Sequence, residues 1–213
     1  ISFLTSCKGD KTIDSEKQDS TENVVVDDKK IDDSKDDNSA KKYEIKTGVI
    51  TYKSEVMGME QKIVTTFDDY GAKEVTDVYT EFMGITDHSR TLIADGYSYT
   101  LNMTEKTASK VKVYGTSGSN IDFLNMSKEM EEKMNIKRLG NEKFLGKDCE
   151  KITMDYTEMS MNGNFLIWKG IALKSEVEAM GMPVVMEATE IDENPKIDPE
   201  IFIVPEDFTV TEY

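Results

Sequence analysis

Runs of alternating apolar and polar residues fill most of the chain beyond residue 42. Residues 43–49 alternate as a half-buried strand does. Ile50 and Tyr52 then carry the apolar positions on the opposite parity, which predicts a bulge near Gly48. Turn-forming pairs such as Asp95-Gly96 separate these runs at roughly ten-residue spacing. The pattern predicts an antiparallel meander, with further strands over 61–67, 73–82, 89–94, 97–103 and 109–114.

One amphipathic helix is predicted after this meander. Ser119 or Asn120 can cap it, and Asp122 stands three residues after Ser119 in the acidic position of a capping box. The polar face holds the charged residues of 128–133, and the helix is expected to end before Gly140. Four apolar side chains recur at helical spacing on the other face: Phe123, Met126, Met130 and Met134.

Strand-like runs resume beyond the helix, over 147–156, 165–169, 172–178 and 183–191. The second of these runs contains Trp168, the only Trp of the chain. Residues 199–202 suggest a short helical turn near the end. Two meanders joined by one helix predict a single mostly-β domain of the α+β class over residues 43–213.

Residues 8–42 have a different composition, rich in Lys, Asp and Ser and poor in large apolar residues. Such a segment cannot bury enough apolar area to offset the entropy of ordering. We therefore expect a disordered acidic stalk that spans about 30–35 Å root-mean-square as a flexible coil. The triplet Val24-Val25-Val26 is the main apolar exception. A solvated spacer is the simpler interpretation of the stalk, and a binding role for this triplet is the alternative.

The residues before the stalk resemble the end of a signal peptide and a lipobox. Leu4-Thr5-Ser6-Cys7 has the branched apolar residue, the two small residues and the nucleophilic Cys of bacterial lipoproteins. The resemblance implies that residues 1–6 are removed and that Cys7 becomes the lipid-bearing (diacylglycerol and palmitate) membrane anchor. Lys8 in the second mature position implies the outer membrane, facing either the periplasm or the surface. A chance match in a trimmed tail is the alternative.

Charge and composition limit the chemistry of the protein. The formal net charge is −16, from 42 acidic and 26 basic residues, so nucleic acid is not an expected partner. His88 is the only His and is expected to be a surface strand residue, which leaves no multi-His metal site. No phosphate-binding loop, nucleophile elbow or paired-Cys metal motif occurs, so we expect neither an enzyme nor a cofactor. Cys149 is expected to be a buried small apolar residue.

The order of elements over 43–213, behind a lipobox, resembles the LolA/LolB-like fold of outer-membrane lipoprotein-sorting proteins. This resemblance implies a curved antiparallel half-barrel, with one or more helices covering its concave apolar face. In the sorting proteins the enclosed cavity takes acyl chains. The chain departs from them in having one clear helix where they have several. Three local stretches carry the resemblance: Gly146-Lys147-Asp148-Cys149, Trp168-Lys169-Gly170-Ile171-Ala172-Leu173-Lys174, and Asp198-Pro199-Glu200-Ile201-Phe202 through Pro205.

The chain contains 13 Met residues, and flexible Met side chains suit surfaces that repack around varied apolar partners. The first hypothesis is a membrane-anchored envelope protein that binds a lipid-like or other apolar ligand between helix and sheet. The second is a closed module that contacts another envelope protein and has no cavity, in which case the Met face is only the core side of the helix. The predicted cavity residues are Phe123, Met126, Met130, Met134 and Trp168.

Overall fold

The computed structural model describes residues 41–56, 58–94, 96–112 and 121–213 of the chain. The predicted lipid attachment at Cys7 and residues 8–40 of the predicted stalk lie outside the described residues, so both expectations stay predictions. The last two residues of that stalk, Lys41 and Lys42, are described and contact the domain. The predicted caps Ser119 and Asn120 also lie outside the described residues.

One sheet of twelve strands contains most of the described domain. The strands of its first half are β1 (Gly48–Val56), β2 (Met59–Asp68), β3 (Lys73–Phe82), β4 (Ile85–Ala94), β5 (Tyr97–Asn102) and β6 (Thr107–Lys112). The remaining strands are β7 (Lys137–Phe144), β8 (Lys147–Tyr156), β9 (Met161–Trp168), β10 (Ile171–Ala179), β11 (Met182–Asp192) and β12 (Thr209–Glu212). Helix α1 (Lys128–Lys133) precedes β7, and short 3-10 turns occupy Asp69–Gly71, Thr157–Met159 and Pro199–Phe202.

The strand order is β12-β6-β5-β4-β3-β2-β1-β11-β10-β9-β8-β7. Two antiparallel meanders, β1–β6 and β7–β11, therefore meet where β1 pairs with β11 at the centre of the sheet. The C-terminal segment crosses back and adds β12 parallel to β6. The result is a single open, curved sheet that fits a half-barrel, and the predicted mostly-β fold class is confirmed. The predicted helical turn at 199–202 is also confirmed.

Cross-strand partners show which side chains share a face of this sheet. One row runs through Ile152, Phe165, Ser175, Met186, Ser54, Gln61 and Thr80. Side chains alternate along a strand, so Val75 of β3 points to the opposite face from Thr80. Val75 belongs to a second row with Leu92, which β4 places directly across from it.

Each face is covered over a different half of the sheet. Segment 121–136 packs on the first face through an apolar cluster with β8 and β9 that includes Ile152 and Phe165. Segment 197–208 packs on the opposite face through a cluster with β3–β6 that includes Val75 and Phe202. The chain thus covers part of each face with short segments that are only partly helical, because burying apolar area does not require a continuous helix.

Helix α1 is shorter than the sequence predicts. The side chain of Ser127 caps it by accepting a 3.1 Å hydrogen bond from the Met130 amide, so the helix begins at Lys128. Upstream, Asp122 Oδ1 accepts hydrogen bonds from the Leu124 and Asn125 amides at 3.1 and 3.0 Å. Such a local turn competes with helical hydrogen bonding. Residues 121–127 are therefore irregular, and the prediction of a helix from residue 119 or 120 is wrong for them.

The strand predicted over 43–49 is also wrong at its start. Residues 42–46 bend, and β1 begins at Gly48. The irregularity of β1 lies between Thr51 and Tyr52, opposite β11, and not near Gly48. Tyr43 leaves the strand direction because its amide donates to the Tyr70 carbonyl and its ring packs 4.5 Å from that of Phe67. The apolar positions shift from odd-numbered residues in 43–49 to Ile50 and Tyr52 because of this bend.

Candidate functional site

A cavity of about 420 Å³ lies between segment 121–136 and strands β7, β8 and β9. Pockets that hold small molecules have volumes of about 300–1,000 Å³, so this volume suits one small ligand. The segment supplies one wall, and the first face of the sheet supplies the floor. Six apolar side chains line the cavity: Phe123, Leu124, Met126, Ile136, Ile152 and Ile167.

Four carboxylates and two bases also line the cavity. Arg138 lies between two of the carboxylates, with Nη1 2.5 Å from Glu150 and Nη2 bonded to Glu131. These hydrogen bonds raise the pKa of the guanidinium, and the bond to Glu150 has a larger effect than the bond to Glu131. The remaining charged residues of the lining are Glu44, Asp148 and Lys169. The site is therefore amphiphilic, with an apolar side and an acidic side.

A glycine turn sets how closely segment 121–136 approaches the sheet. Gly170 follows β9 with a φ of +82°, and a Cβ there would lie 2.7 Å from both Leu124 Cγ and the Lys42 carbonyl oxygen. A side chain at this position would push the wall of the cavity outward. Asn125 adds a second tie by donating from Nδ2 to the Lys41 carbonyl at 2.8 Å.

The five predicted cavity residues separate into three groups. Phe123 and Met126 line the cavity. Met130 and Met134 belong to the adjoining core cluster, in which Met134 is buried. Trp168 is buried in a different cluster with Tyr43 and Leu173 and does not line the cavity. A ligand-binding role for any of these residues remains a prediction.

No chemical motif in the sequence marks the polar side of the cavity. Arg138 and Glu150 come together because β7 and β8 pair with an irregular register between Arg138 and Asn141. Nothing in the local sequence marks that register. The sequence offers one indication of this polar site, the many charged residues of 128–151. Read from alternation alone, these residues would be assigned to a solvent-exposed face.

Two other reactive side chains, His88 and Cys149, have structural roles. His88 Nε2 lies 2.6 Å from Asp77 Oδ1, and Arg90 binds both oxygens of the same carboxylate at 2.8 and 3.0 Å. The ring of Tyr79 stacks on His88 at 4.3 Å. Cys149 is fully buried, as predicted, and burial raises the pKa of its thiol. Within the described ranges, no cluster of potential metal ligands and no helix able to span a membrane is found.

Comparison with known proteins shows similarity of fold. No family model and no curated protein sequence matches the chain. An uncharacterized conserved protein from Thermus thermophilus is 9% identical with a TM-score of 0.53, over 79% of this chain and 91% of that one. MucB in complex with MucA is 10% identical with a TM-score of 0.48, over 80% of this chain and 57% of that one.

A third similar structure is a domain from Vibrio parahaemolyticus described as an outer membrane lipoprotein-sorting protein. It is 10% identical with a TM-score of 0.37, over 74% of this chain and 89% of that one. At identities of 9–10%, the similarity concerns the fold and not the activity, and it rests on the Thermus thermophilus protein. The solved structures similar to this chain also include a domain described in the terms of the family that the sequence resembles.

Proposed function

We propose that the protein is a lipid-anchored, non-enzymatic envelope lipoprotein that holds a lipid-like ligand in the cavity beneath segment 121–136. The observation that carries the proposal is the cavity itself. It lies where the apolar side chains of that segment meet the sheet, and Phe123 and Met126 line it. An apolar chain placed against these side chains would be removed from water.

The polar lining limits the headgroup of such a ligand. Four carboxylates stand against two bases, and Arg138 is already bonded to two of the four. A ligand carboxylate would meet a surplus of negative charge. A neutral, zwitterionic or positively charged headgroup is therefore favoured over a fatty acid.

The anchor is the lipobox Cys7, as the sequence predicts, with the outer membrane as the proposed location. The test uses the only other cysteine of the chain as a matched control. In the natural host, Cys7→Ser should move the protein from the membrane fraction to the soluble fraction, because the acyl chains supply the attachment. Cys149→Ser should leave it with the membranes. A Cys7→Ser protein that still pellets with membranes would place the anchor elsewhere.

The ligand test compares two single-chain amphiphiles of equal chain length, lysophosphatidylcholine and a fatty acid, by titration calorimetry below their micelle concentrations. We expect lysophosphatidylcholine to bind more tightly. Met126→Trp should fill the cavity and abolish uptake, because the larger ring occupies the ligand space. Leu145→Trp is the control, since Leu145 is an exposed hairpin residue at the edge of the sheet.

Failure of both amphiphiles to bind, with no lipid co-purifying by mass spectrometry, would remove the ligand proposal. The second candidate, a closed module that contacts another envelope protein, would then stand. The packing of Met130 and Met134 in the core cluster favours it, because this part of the segment is filled by side chains. That candidate requires no ligand in the 420 Å³ space.

A further inference from the structure

Five hairpins turn toward the same end of the sheet; the β5–β6 turn is set back by about four residues, and the tips of the other four form one row. In the strand order β4-β3-β2-β1-β11-β10-β9-β8, each neighbouring pair is antiparallel. The β3–β4, β1–β2, β10–β11 and β8–β9 connections therefore lie side by side, at the sheet end opposite Gly170 and the cavity wall. With strands about 4.8 Å apart, neighbouring tips are about 10 Å apart and the row spans about 30 Å.

Large apolar side chains are exposed to solvent on the described tips of this row. Phe82, Met83 and Ile85 on the β3–β4 tip are 57%, 86% and 72% exposed. Met180 on the β10–β11 tip is 73% exposed, and Met159 on the β8–β9 tip is 53% exposed. The last two tips are joined by a 2.9 Å hydrogen bond from the Met180 amide to the Ser160 carbonyl. The β10–β11 and β8–β9 tips thus form one apolar patch, and the apolar β3–β4 tip lies about 20 Å from it along the same row.

The backbone of these turns is not suited to Met. Met83 and Met180 have φ values of 51° and 53°, in the left-handed region that Gly and Asn adopt more readily. Each precedes a Gly with a φ of 77° in a tight hairpin. Folding alone would favour Asn-Gly or Asp-Gly at such turns. An exposed Met there contributes neither core packing nor turn stability.

Carboxylates flank the apolar tips. Glu55 lies directly opposite Glu60 in the β1–β2 hairpin, although like charges opposite one another destabilise a sheet. Glu81 adjoins Phe82, and Glu178 lies on the β10–β11 hairpin. Across the residues that the structure describes, these four carboxylates form no ion pair. The end of the sheet is therefore apolar at its tips and negative around them.

We infer that this row of tips is a docking surface for a basic amphipathic polypeptide segment of another protein. Apolar residues of the partner would cover the Met and Phe tips, and its Lys or Arg residues would pair with the flanking carboxylates. A helix of about 20 residues is about 30 Å long, which matches the row. Met-rich apolar surfaces suit such partners because Met adapts to their side chains. An anionic membrane surface is disfavoured, because the carboxylates would face headgroups of the same sign.

The test uses the full chain and a fluorescent amphipathic peptide of Leu and Lys, about 20 residues long, read by anisotropy. Binding should weaken about tenfold or more in the double variant Met83→Asn, Met180→Asn, while its melting temperature stays the same or rises. The control is Leu145→Asn, which changes an exposed apolar residue in the same kind of turn, with a φ of 49°, at the opposite end of the sheet. The control should bind normally.

A second comparison separates the docking surface from the general attraction of a −16 protein for a basic peptide. Glu55→Gln, Glu60→Gln, Glu178→Gln should weaken binding more than Asp69→Asn, Glu190→Gln, Asp192→Asn, which removes as many exposed charges toward the opposite end of the sheet. Equal weakening by the two triple variants would overturn the inference. So would normal binding by the Met83→Asn, Met180→Asn variant, or binding to phosphatidylcholine vesicles in place of the peptide. Loss of lysophosphatidylcholine uptake would bear on the cavity and leave this inference intact, since none of these residues lines it.

Discussion

Two Met residues of segment 121–136 should differ sharply in what they contribute to stability. Met134 is 7% exposed and packs in the core cluster with Ile152 and Phe165, so Met134→Ala removes contacts and leaves a void. Truncating a buried Met to Ala costs about 2–5 kcal/mol, and the low exposure here suggests about 3 kcal/mol. For a domain of this size, that corresponds to a fall in melting temperature of about 6–12 °C.

Met126 faces the cavity, so Met126→Ala enlarges a space that already exists. Only part of its side chain is withdrawn from water, and the expected cost is about 1 kcal/mol, or about 2–4 °C in melting temperature. The measurement is urea unfolding of both variants followed by circular dichroism, with the slope m required to stay unchanged so that the midpoints report stability.

Equal losses for the two variants would refute this reasoning. A loss near 3 kcal/mol for Met126→Ala would mean that the side chain is packed in solution and that the cavity is closed. A loss near 1 kcal/mol for Met134→Ala would mean that the core beneath α1 relaxes. The comparison therefore measures, without any ligand, whether the space beneath the segment is open.

Three further predictions concern the rest of the domain. Tyr43→Phe should cost about 1.5–3 kcal/mol in urea unfolding, because it removes the 2.6 Å hydrogen bond from the Tyr43 hydroxyl to the buried Glu74 carboxylate; no loss would show that the bond contributes nothing. Asp77→Asn should cost about 3 kcal/mol, because it leaves the largely buried Arg90 without its carboxylate, and Thr76→Ser on the same strand is the control. Burial raises the pKa of the Cys149 thiol, so the native state favours the protonated thiol. The free energy of unfolding should therefore be undiminished below the ordinary thiol pKa of about 8.5 and should fall as pH rises above it. A pH profile of Cys149→Ala as steep as that of the parent would contradict this cause.

The alternation of residues predicts ten of the twelve strands, because these strands bury one face and a period-2 pattern reports that burial. It predicts neither β7 nor β12, whose residues are almost all exposed. It also bears on the predicted cavity residue Trp168. Phe165 and Trp168 are three residues apart on β9, so strand geometry places them on opposite faces. Because Phe165 packs against segment 121–136, Trp168 faces away from the cavity and belongs to a different cluster.

Other features depend on contacts that no local pattern contains. Helical spacing from Phe123 to Met134 is compatible with a helix, but the Asp122 side chain holds the first residues in a turn. Whether the side-chain or the backbone hydrogen bonds prevail is decided by tertiary packing. The pairing of Arg138 with Glu131 and Glu150 likewise requires the β7–β8 register and the position of α1 at once.

The two proposed surfaces lie at opposite ends of the sheet, and the point where the chain enters the domain is at one of them. The Lys41 carbonyl is held by Asn125, and the Glu44 amide donates to the Lys169 carbonyl beside the cavity. An anchor at Cys7 would therefore pull on the cavity end and leave the hairpin tips farther from the membrane. The sequence predicts a flexible stalk over residues 8–42, and such a stalk would let the cavity reach the headgroups. Shortening the stalk should then alter uptake of lipid from the membrane before it alters binding at the tips.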